Sequence, residues 1–399
     1  MSRVIVFCLL VTAYPGSAVA LQGDTFSPYV STTYLHDSNL LRIDDEVDLA
    51  SLMGKDERSD TVKTVATGID VDWEYSRQRF LISVEMNENT FSRFDTLNYQ
   101  GRDVNARWNW QLGNHLSGVL GQTYSRSLAS FADVRGVTGN LRDQQRTFIE
   151  VDWLFHPRWQ IGLAYSEYSL EYSELIQQNG DTESDTIKVN LYYLTPKGSR
   201  VGMELSKKNG RYPNRIFNNT STVDNGYDQG SVLGIFDWRY SSKSRIRMQS
   251  GYVERTHDHL PQRDYDAINS RINYTWVPSV KTQLDVSLFK QTEPRDDLLA
   301  SVSENEGMSL SANWAPTAKL TLSGMYRTEK QKDLDDPGFL LITRPQSREQ
   351  NDSYRLSLSY KPHQRVDLMA SYSDESRDSS QAQSDFDAQM ISISAMIKM

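Results

Sequence analysis

The chain has 399 residues, of which 38% are hydrophobic and 24% are charged, and its formal net charge at pH 7 is -9. This acidic balance disfavours nucleic-acid binding, because neutralising phosphates requires clustered Lys and Arg. The single cysteine, Cys8, excludes a fold held by internal disulfides. Beyond the first twenty residues, no apolar run approaches the roughly 20 residues that a membrane helix needs.

The N-terminus has the features of an export signal. Arg3 precedes an apolar run over residues 4–11, which is followed by Pro15-Gly16 and the small residues 17–20. This order is typical of a Sec signal peptide that is cut after Ala20. We therefore expect residues 1–20 to be removed and the mature chain to begin at Leu21.

Long segments of the remaining chain alternate between apolar and polar side chains. Between Val104 and Leu112, for example, every second residue is apolar and the residues between them are polar. A period of two over nine or more residues predicts a strand, because a helix does not produce this period. Such alternation recurs up to the segment Ile391–Met399. Because only every second residue of a transmembrane strand faces lipid, the mean hydropathy of a membrane barrel stays low.

Short turns separate pairs of these segments, and long polar connections separate the pairs. Eight short turns, with both chain ends on one side, imply eighteen strands. Sixteen is the second count, because the segments around Leu175 and Leu260 are short and irregular. We place the short turns at residues 76–78, 113–115, 156–158, 195–199, 241–244, 278–279, 315–318 and 362–364, and the largest of nine outward loops at 36–61, 126–140, 208–228 and 330–349.

The fold expected from this pattern is all-β: a transmembrane antiparallel up-and-down β-barrel over residues 21–399, with short periplasmic turns and long extracellular loops. A propeller is the alternative, because propeller blades repeat at a similar spacing of about 40 residues. Each unit here holds two strands of about ten residues, whereas a blade holds four short strands. The spacing and the strand length together favour the barrel.

All eight tryptophans lie beside the short turns. Aromatic rings with a polar N–H concentrate where lipid meets water, so this placement predicts one rim of an aromatic girdle. Core tryptophans of a soluble β-sandwich are the alternative, although these would lie in mid-strand. The expected girdle consists of Trp73, Trp108, Trp110, Trp153, Trp159, Trp238, Trp276 and Trp314.

The polar stripe of each strand would line a lumen, and its charges are unevenly distributed along the chain. The early strands contribute mainly acids and the later ones mainly bases, which predicts an acidic wall facing a basic one and a transverse field across a wet channel. Chance segregation of ordinary lumen charges is the alternative. The predicted lumen residues are Asp70, Asp72, Glu74, Glu85, Asp103, Arg107, Glu150, Asp152, Lys188, Arg239, Arg245, Arg247, Arg271, Lys281 and Arg355.

Aromatic and hydroxyl side chains on the same faces would suit saccharides. Tyr168, Tyr172, Tyr192, Tyr212 and Tyr227 are expected near one arc of the wall, where their rings and hydroxyls would contact a sugar. Strands favour tyrosine in any case, which is the alternative explanation.

Catalysis and metal binding have weak support. His257, Asp258 and His259 form a cluster that could act as a base or hold a metal, but no nucleophile accompanies it. The acidic segment 44–48 lacks the glycine-punctuated pattern of a Ca²⁺ loop. We expect no enzyme, no catalytic residues, no cofactor and no metal.

Two segments carry a family resemblance. The sequence DTFSPYV at residues 24–30, continuing to YLHDSNLLR at 34–42, resembles the start of EpsL-type outer-membrane proteins of Gram-negative exopolysaccharide operons. So does SRQRF at 76–80 with FSRFDTLNY at 91–99. The resemblance is most specific over residues 24–112. It implies a barrel that helps an exopolysaccharide cross or assemble at the outer membrane, and it brings no catalytic residues.

The sequence therefore predicts a porin-like barrel in the outer membrane of a Gram-negative bacterium that takes part in exopolysaccharide export or assembly. The alternatives are a general or substrate-specific nutrient porin and, third, a non-conducting surface scaffold. Expected partners are outer-membrane lipid and lipopolysaccharide, an exopolysaccharide or other saccharide, and periplasmic export proteins, but no nucleic acid.

Overall fold

A computed structural model describes most of the chain. The expected signal peptide, residues 1–20, lies outside the described residues, as does Cys8. No helix in the described part of the chain has the length and apolarity to span a membrane. The description covers residues 25–53, 56–131, 139–294, 302–334, 347–381 and 383–399.

The described residues form eighteen strands, one short α-helix, α1 (Leu49–Met53), and three 3-10 helices of three residues each. The strands are β1 (Phe26–Asp37), β2 (Asp60–Tyr75), β3 (Gln78–Phe91), β4 (Tyr99–Leu112), β5 (Leu116–Leu128), β6 (Leu141–His156), β7 (Trp159–Tyr172), β8 (Thr182–Leu194), β9 (Arg200–Arg211), β10 (Gly226–Arg239), β11 (Ser244–His257), β12 (Tyr265–Ser279), β13 (Thr282–Pro294), β14 (Val302–Thr317), β15 (Leu320–Leu334), β16 (Arg348–His363), β17 (Val366–Ser379) and β18 (Phe386–Lys398).

Every strand pairs antiparallel with its neighbours in the chain, and β1 closes the ring by pairing with both β2 and β18. Near this closure the Met399 N–H donates to the Pro28 carbonyl at 2.8 Å. The prediction of a closed eighteen-stranded antiparallel barrel is confirmed. Closure satisfies the backbone N–H and C=O groups of the first and last strands, which an open sheet would leave exposed at its edges.

The short turns lie at the edge of the barrel that also holds the start of β1 and the end of β18; we call this the turn edge and the opposite one the loop edge. Strands extend further into the turns than the sequence predicted. Pro278, Pro316 and Pro362 lie inside β12, β14 and β16, at register shifts just before each strand ends. A bulge tolerates proline because the ladder there needs no N–H. The predicted turn limits at 278–279, 315–318 and 362–364 are therefore wrong by about two residues.

The pairing register divides the side chains into two faces, since residues paired across adjacent strands share a face. Tyr29, Gly68 and Glu85 are paired in this way, and the Tyr29 hydroxyl donates to Glu85 at 2.7 Å. Tyr29 crosses directly over Gly68, where an added Cβ would lie 2.5 Å from the ring. The strand residues buried in the isolated barrel belong mainly to this inner face. The other face exposes large apolar side chains such as Ile82 and Met86.

Two loops pack against the inner face at the loop edge. Leu40 and Leu41 from the β1–β2 loop, and Phe94 and Leu97 from the β3–β4 loop, form one apolar cluster with inward-facing Val62 and Phe91. Asp60, which is fully buried, accepts backbone hydrogen bonds from Arg93 and Phe94 and so holds the second loop in place. The loops therefore cover part of the wall at this end.

Candidate functional site

The polar inner wall of the barrel is the candidate site. The pairing register places the predicted lumen residues, apart from Lys281, at inner positions of β2, β3, β4, β6, β8, β10, β11, β12 and β16. Lys281 lies in the turn before β13, and its Nζ donates to the Pro316 carbonyl at 2.7 Å. Its charge is therefore at the turn edge.

The acidic side of the wall is centred on β2. Asp70, Asp72 and Glu74 occupy successive inner positions of this strand. Arg79 of β3 makes two hydrogen bonds to Asp72, at 2.8 and 2.6 Å, and Ser83 donates to Asp70 at 2.8 Å. Within the described parts of the chain, neither Asp70 nor Glu74 has an ion-pair partner within 4 Å, so this end of β2 is net negative.

The basic side surrounds a single buried carboxylate, Asp237 of β10, which is 3% exposed. Arg245 Nε donates to it at 2.6 Å, while Arg200 and Arg247 place Nε at 3.5 and 3.9 Å. One carboxylate thus faces three guanidinium groups, and the cluster is net positive. The sequence analysis missed Arg200, although it occupies an inner position at the start of the alternating segment of β9.

The two clusters lie on opposite sides of the barrel. β2 and β11 are nine positions apart in a ring of eighteen strands. Tyr75 ends β2 and Ser244 begins β11, and both residues border short turns, so the clusters are also at the same edge. Acidic and basic groups therefore face each other across the interior near the turn edge.

A second group of arginines lies nearer the loop edge. The Arg271 and Arg327 guanidinium carbons lie 4.9 and 5.1 Å from the centre of the Phe289 ring, which they contact from two sides. Arg271 donates to Gln291 at 2.6 Å, and Arg327 pairs with Glu329 at 2.6 Å. Sequence reasoning predicted Arg271 but missed Arg327. The planar guanidinium groups are fixed by stacking and hydrogen bonding rather than left free in the lumen.

The tyrosines predicted to contact a sugar are mostly buried in the protein. Tyr172, Tyr192, Tyr212 and Tyr227 are each at most 9% exposed. Arg200 lies over the Tyr192 ring, Arg215 over Tyr212 and Arg255 over Tyr227, at 4.7, 3.5 and 3.6 Å from the ring centres. The Tyr168 hydroxyl accepts a hydrogen bond from Gln144. These rings stabilise the wall and present little surface to a solute.

The eight tryptophans lie on the outer face close to the turn edge. Trp73 stacks on Phe80 at 5.2 Å, and Phe80 stacks on Trp108 at 5.6 Å. The Trp108 indole N–H donates to Gln78 at 3.0 Å. Trp153 and Trp314 are 53% and 51% exposed. The rings therefore form an outward band with polar partners toward the turns.

The loop histidines have structural partners. His259 Nδ1 lies 3.1 Å from Asp224, which is 1% exposed. Burial alone would raise the pKa of Asp224, but hydrogen bonds from the His259 side chain and from the backbone N–H groups of His259, Asn225 and Leu260 outweigh it and hold the pKa below its ordinary value. In the described residues, no group of three or more His, Cys, Asp or Glu side chains is arranged to hold a metal.

Solved structures with a similar fold include outer-membrane proteins of Pseudomonas. OccK2 (OpdF) of Pseudomonas aeruginosa has a TM-score of 0.50 and 9% identity, over 94% of this chain and 98% of that chain. A BenF-like porin from Pseudomonas fluorescens Pf-5 has 0.50 and 8%, over 94% and 99%. OpdQ of Pseudomonas aeruginosa has 0.50 and 10%, over 94% and 100%. The fold is that of these barrels.

Sequence comparison gives no further assignment. No protein-family model matches the chain. No curated protein matches it either. At 8–10% identity the structural likeness concerns the fold alone.

Proposed function

We propose that this chain forms a water-filled channel in the outer membrane of a Gram-negative bacterium and passes small polar solutes. The observation that carries the proposal is a closed barrel with an apolar outer face and a polar inner face. On the inner face, acidic and basic side chains lie on opposite sides of the barrel. An apolar outer face requires lipid, because large exposed apolar surfaces are unfavourable in water. The tryptophan band would then lie at the periplasmic interface.

The arrangement of charges supports a selective channel. Charges on opposite walls set a field across the lumen, which orients a dipolar solute and discriminates between solutes by their charge distribution. The likeness to OccK2 supports the passage of a small solute rather than a polymer, because OccK2 was also solved in complex with glucuronate. A substrate-specific nutrient porin is therefore the function that we favour.

Exopolysaccharide export or assembly is the second candidate, and the resemblance of residues 24–112 to EpsL-type proteins favours it. Deleting the gene in a polysaccharide producer separates the two. Loss of surface polymer with accumulation inside the envelope would support export. Unchanged polymer with slower uptake of small solutes would support the nutrient porin.

Ion selectivity in planar bilayers tests the channel directly. Neutralising Asp70, Asp72 and Glu74 together should shift the reversal potential in a KCl gradient toward anion selectivity. Neutralising Arg245, Arg247 and Arg271 should shift it toward cation selectivity. Both shifts should shrink as salt rises, because the screening length is about 8 Å at physiological ionic strength and shorter above it.

Outward-facing charges supply the matched control. Lys207 and Asp228 pair on the outer face at 3.9 Å, so K207Q/D228N should leave the reversal potential unchanged. A protein that inserts into the bilayer without conducting would overturn the channel proposal. Conduction with selectivity unaffected by both triple variants would overturn the proposed role of the charged walls.

A further inference from the structure

Basic side chains gather on the outer face of the barrel near the loop edge, across β13 to β16. The pairing register places four of them at outward positions, namely Lys290, Lys330, Lys332 and Arg348. We call these four residues the basic patch. Other parts of the same face are acidic. Over their fully described lengths, β7 and β8 carry Glu167, Glu171, Glu183 and Asp185 at outward positions and no outward base.

The carboxylates around the basic patch do not balance its charge. Glu304 pairs with Lys290 at 2.7 Å. Asp352 accepts hydrogen bonds from its neighbours. Glu306 is the cross-strand partner of both Lys290 and Lys330, so it is shared between two lysines. These three acids stand against four bases, which leaves a net charge of +1.

Two members of the basic patch oppose each other directly. Lys332 and Arg348 are cross-strand partners, and like charges in such positions repel. In the parts of the chain that the structure describes, no carboxylate lies within 4 Å of either side chain, nor of Lys330. An anion bound between these groups would relieve the repulsion, because it accepts hydrogen bonds from both strands.

A depression of about 420 Å³ adjoins the basic patch on its turn-edge side. One wall of the depression is apolar and consists of side chains paired across β12, β13 and β14, namely Ile272, Leu288 and Met308. The opposite wall is charged and contains Lys290, Glu306 and Lys330. The site therefore combines an apolar surface with basic groups, which are the features that an anionic lipid requires.

The position of the depression along the barrel corresponds to a membrane boundary. Trp314 of the tryptophan band and Glu306 lie eight residues apart on β14. This separation is about 26 Å of strand, or about 20 Å along the barrel axis at a tilt of about 40°. The apolar band of an outer-membrane barrel is about 25 Å tall. Glu306 and the lysines beside it therefore lie near the boundary opposite the tryptophans.

We propose that the basic patch and the depression bind one lipopolysaccharide molecule, with a phosphate of its lipid A on the patch and an acyl chain on the apolar wall. The inference rests on the proposed placement in the outer membrane and does not depend on conduction. With the tryptophans at the periplasmic interface, the patch lies in the outer leaflet, where lipopolysaccharide is the main lipid. Ammonium and guanidinium groups donate charge-assisted hydrogen bonds to phosphate, and basic pockets at membrane boundaries bind lipid headgroups.

The test titrates the purified barrel in detergent with lipid A and counts bound lipid by native mass spectrometry. K330Q/K332Q/R348Q removes the three bases that have no close carboxylate. Its affinity for lipid A should fall at least tenfold, because charge-assisted hydrogen bonds to phosphate are lost. The loss should be smaller at high salt. Faster migration of the unheated variant in SDS gels would verify that it is folded.

The matched control removes the same residue types from the outer face of β2 and β9. Lys63, Lys207 and Arg211 occupy outward positions there, and K63Q/K207Q/R211Q should keep the affinity for lipid A within about twofold of the parent. E306Q should raise the affinity about threefold, because it removes a carboxylate beside the phosphate. A gain of binding cannot result from misfolding.

Three results would overturn the proposal: no binding of lipid A to the parent, equal losses in the two triple variants, or equally tight binding of phosphatidylglycerol. The last result would show a site for anionic lipids in general. Lipid A binding by a barrel that does not conduct would support this inference while rejecting the channel. Conduction without lipid A binding would do the reverse, so the two failures are distinguishable.

Discussion

Ile69 and Asp70 are adjacent on β2, but the register places their side chains on opposite faces of the wall. Ile69→Arg should destabilise the barrel by about 2–4 kcal/mol if the outer face is in lipid, because a charge near the bilayer midplane is costly. Asp70→Arg should cost far less, since that position lies on the polar inner face beside Ser83. Urea unfolding in lipid vesicles measures both. Equal costs would contradict the assignment of faces.

At Asp237 one carboxylate balances three arginines. Asp237→Asn keeps the shape of the side chain but removes its charge, so Arg200, Arg245 and Arg247 lose their shared counter-charge. We expect the reversal potential in a KCl gradient to shift toward anions, most strongly at low salt. Asp228→Asn is the control, because Asp228 is on the outer face. A shift of the same size in both variants would contradict a role for Asp237 in the lumen.

Strands were the elements that the sequence predicted best. Alternation from Val104 to Leu112 matches the apolar outer face and the polar inner face of β4, because successive residues of a strand point to opposite faces. The positions of the prolines were predicted less well. Pro278 was assigned to a turn but lies in a bulge inside β12, and a proline indicates an interrupted ladder in either case. Leu40 and Phe94 lie in loops without periodicity, so their packing on Val62 and Phe91 had no local pattern to reveal it.

The β9–β10 and β11–β12 loops are joined through Asp224. Because the folded pKa of this carboxyl is lowered, its ionised form stabilises the loops above the ordinary pKa of 3.8, and this stabilisation is lost as pH falls toward the folded value. Hydrogen exchange at the Leu260 amide, corrected for intrinsic rates, should be slow at pH 6 and should become faster as the pH falls below the ordinary pKa of 3.8 toward the lower folded value. Asp224→Asn should speed exchange at pH 6 and remove the pH dependence. Unchanged protection in this variant would show that the carboxylate does not hold the loops.

On the scale of the whole molecule, closure of the ring should give a barrel that resists detergent. The unheated protein should migrate faster than the heated protein in SDS gels, because a folded barrel stays compact, and its circular dichroism in detergent should be of the β type. A helical spectrum, or solubility without detergent, would contradict the fold in membranes.

The opposition of the acidic and basic walls could be predicted from the order of charged residues along the chain. The burial of the tyrosines could not, because it depends on which inner residues pack together.

The pairing of β1 with β18 has a consequence for how the molecule is made. These two strands contain the chain's most distant partners, such as Tyr29 and Lys398. Their ladder can therefore form only when the strands of the other seventeen pairings are arranged in the ring. Contacts of such long sequence separation carry a large loop-closure cost and slow folding. Until then both terminal strands offer unpaired edges that invite aggregation. Biogenesis therefore requires that the last strand be brought to the first while the unpaired edges of the unfinished sheet are kept from pairing with other copies of the chain.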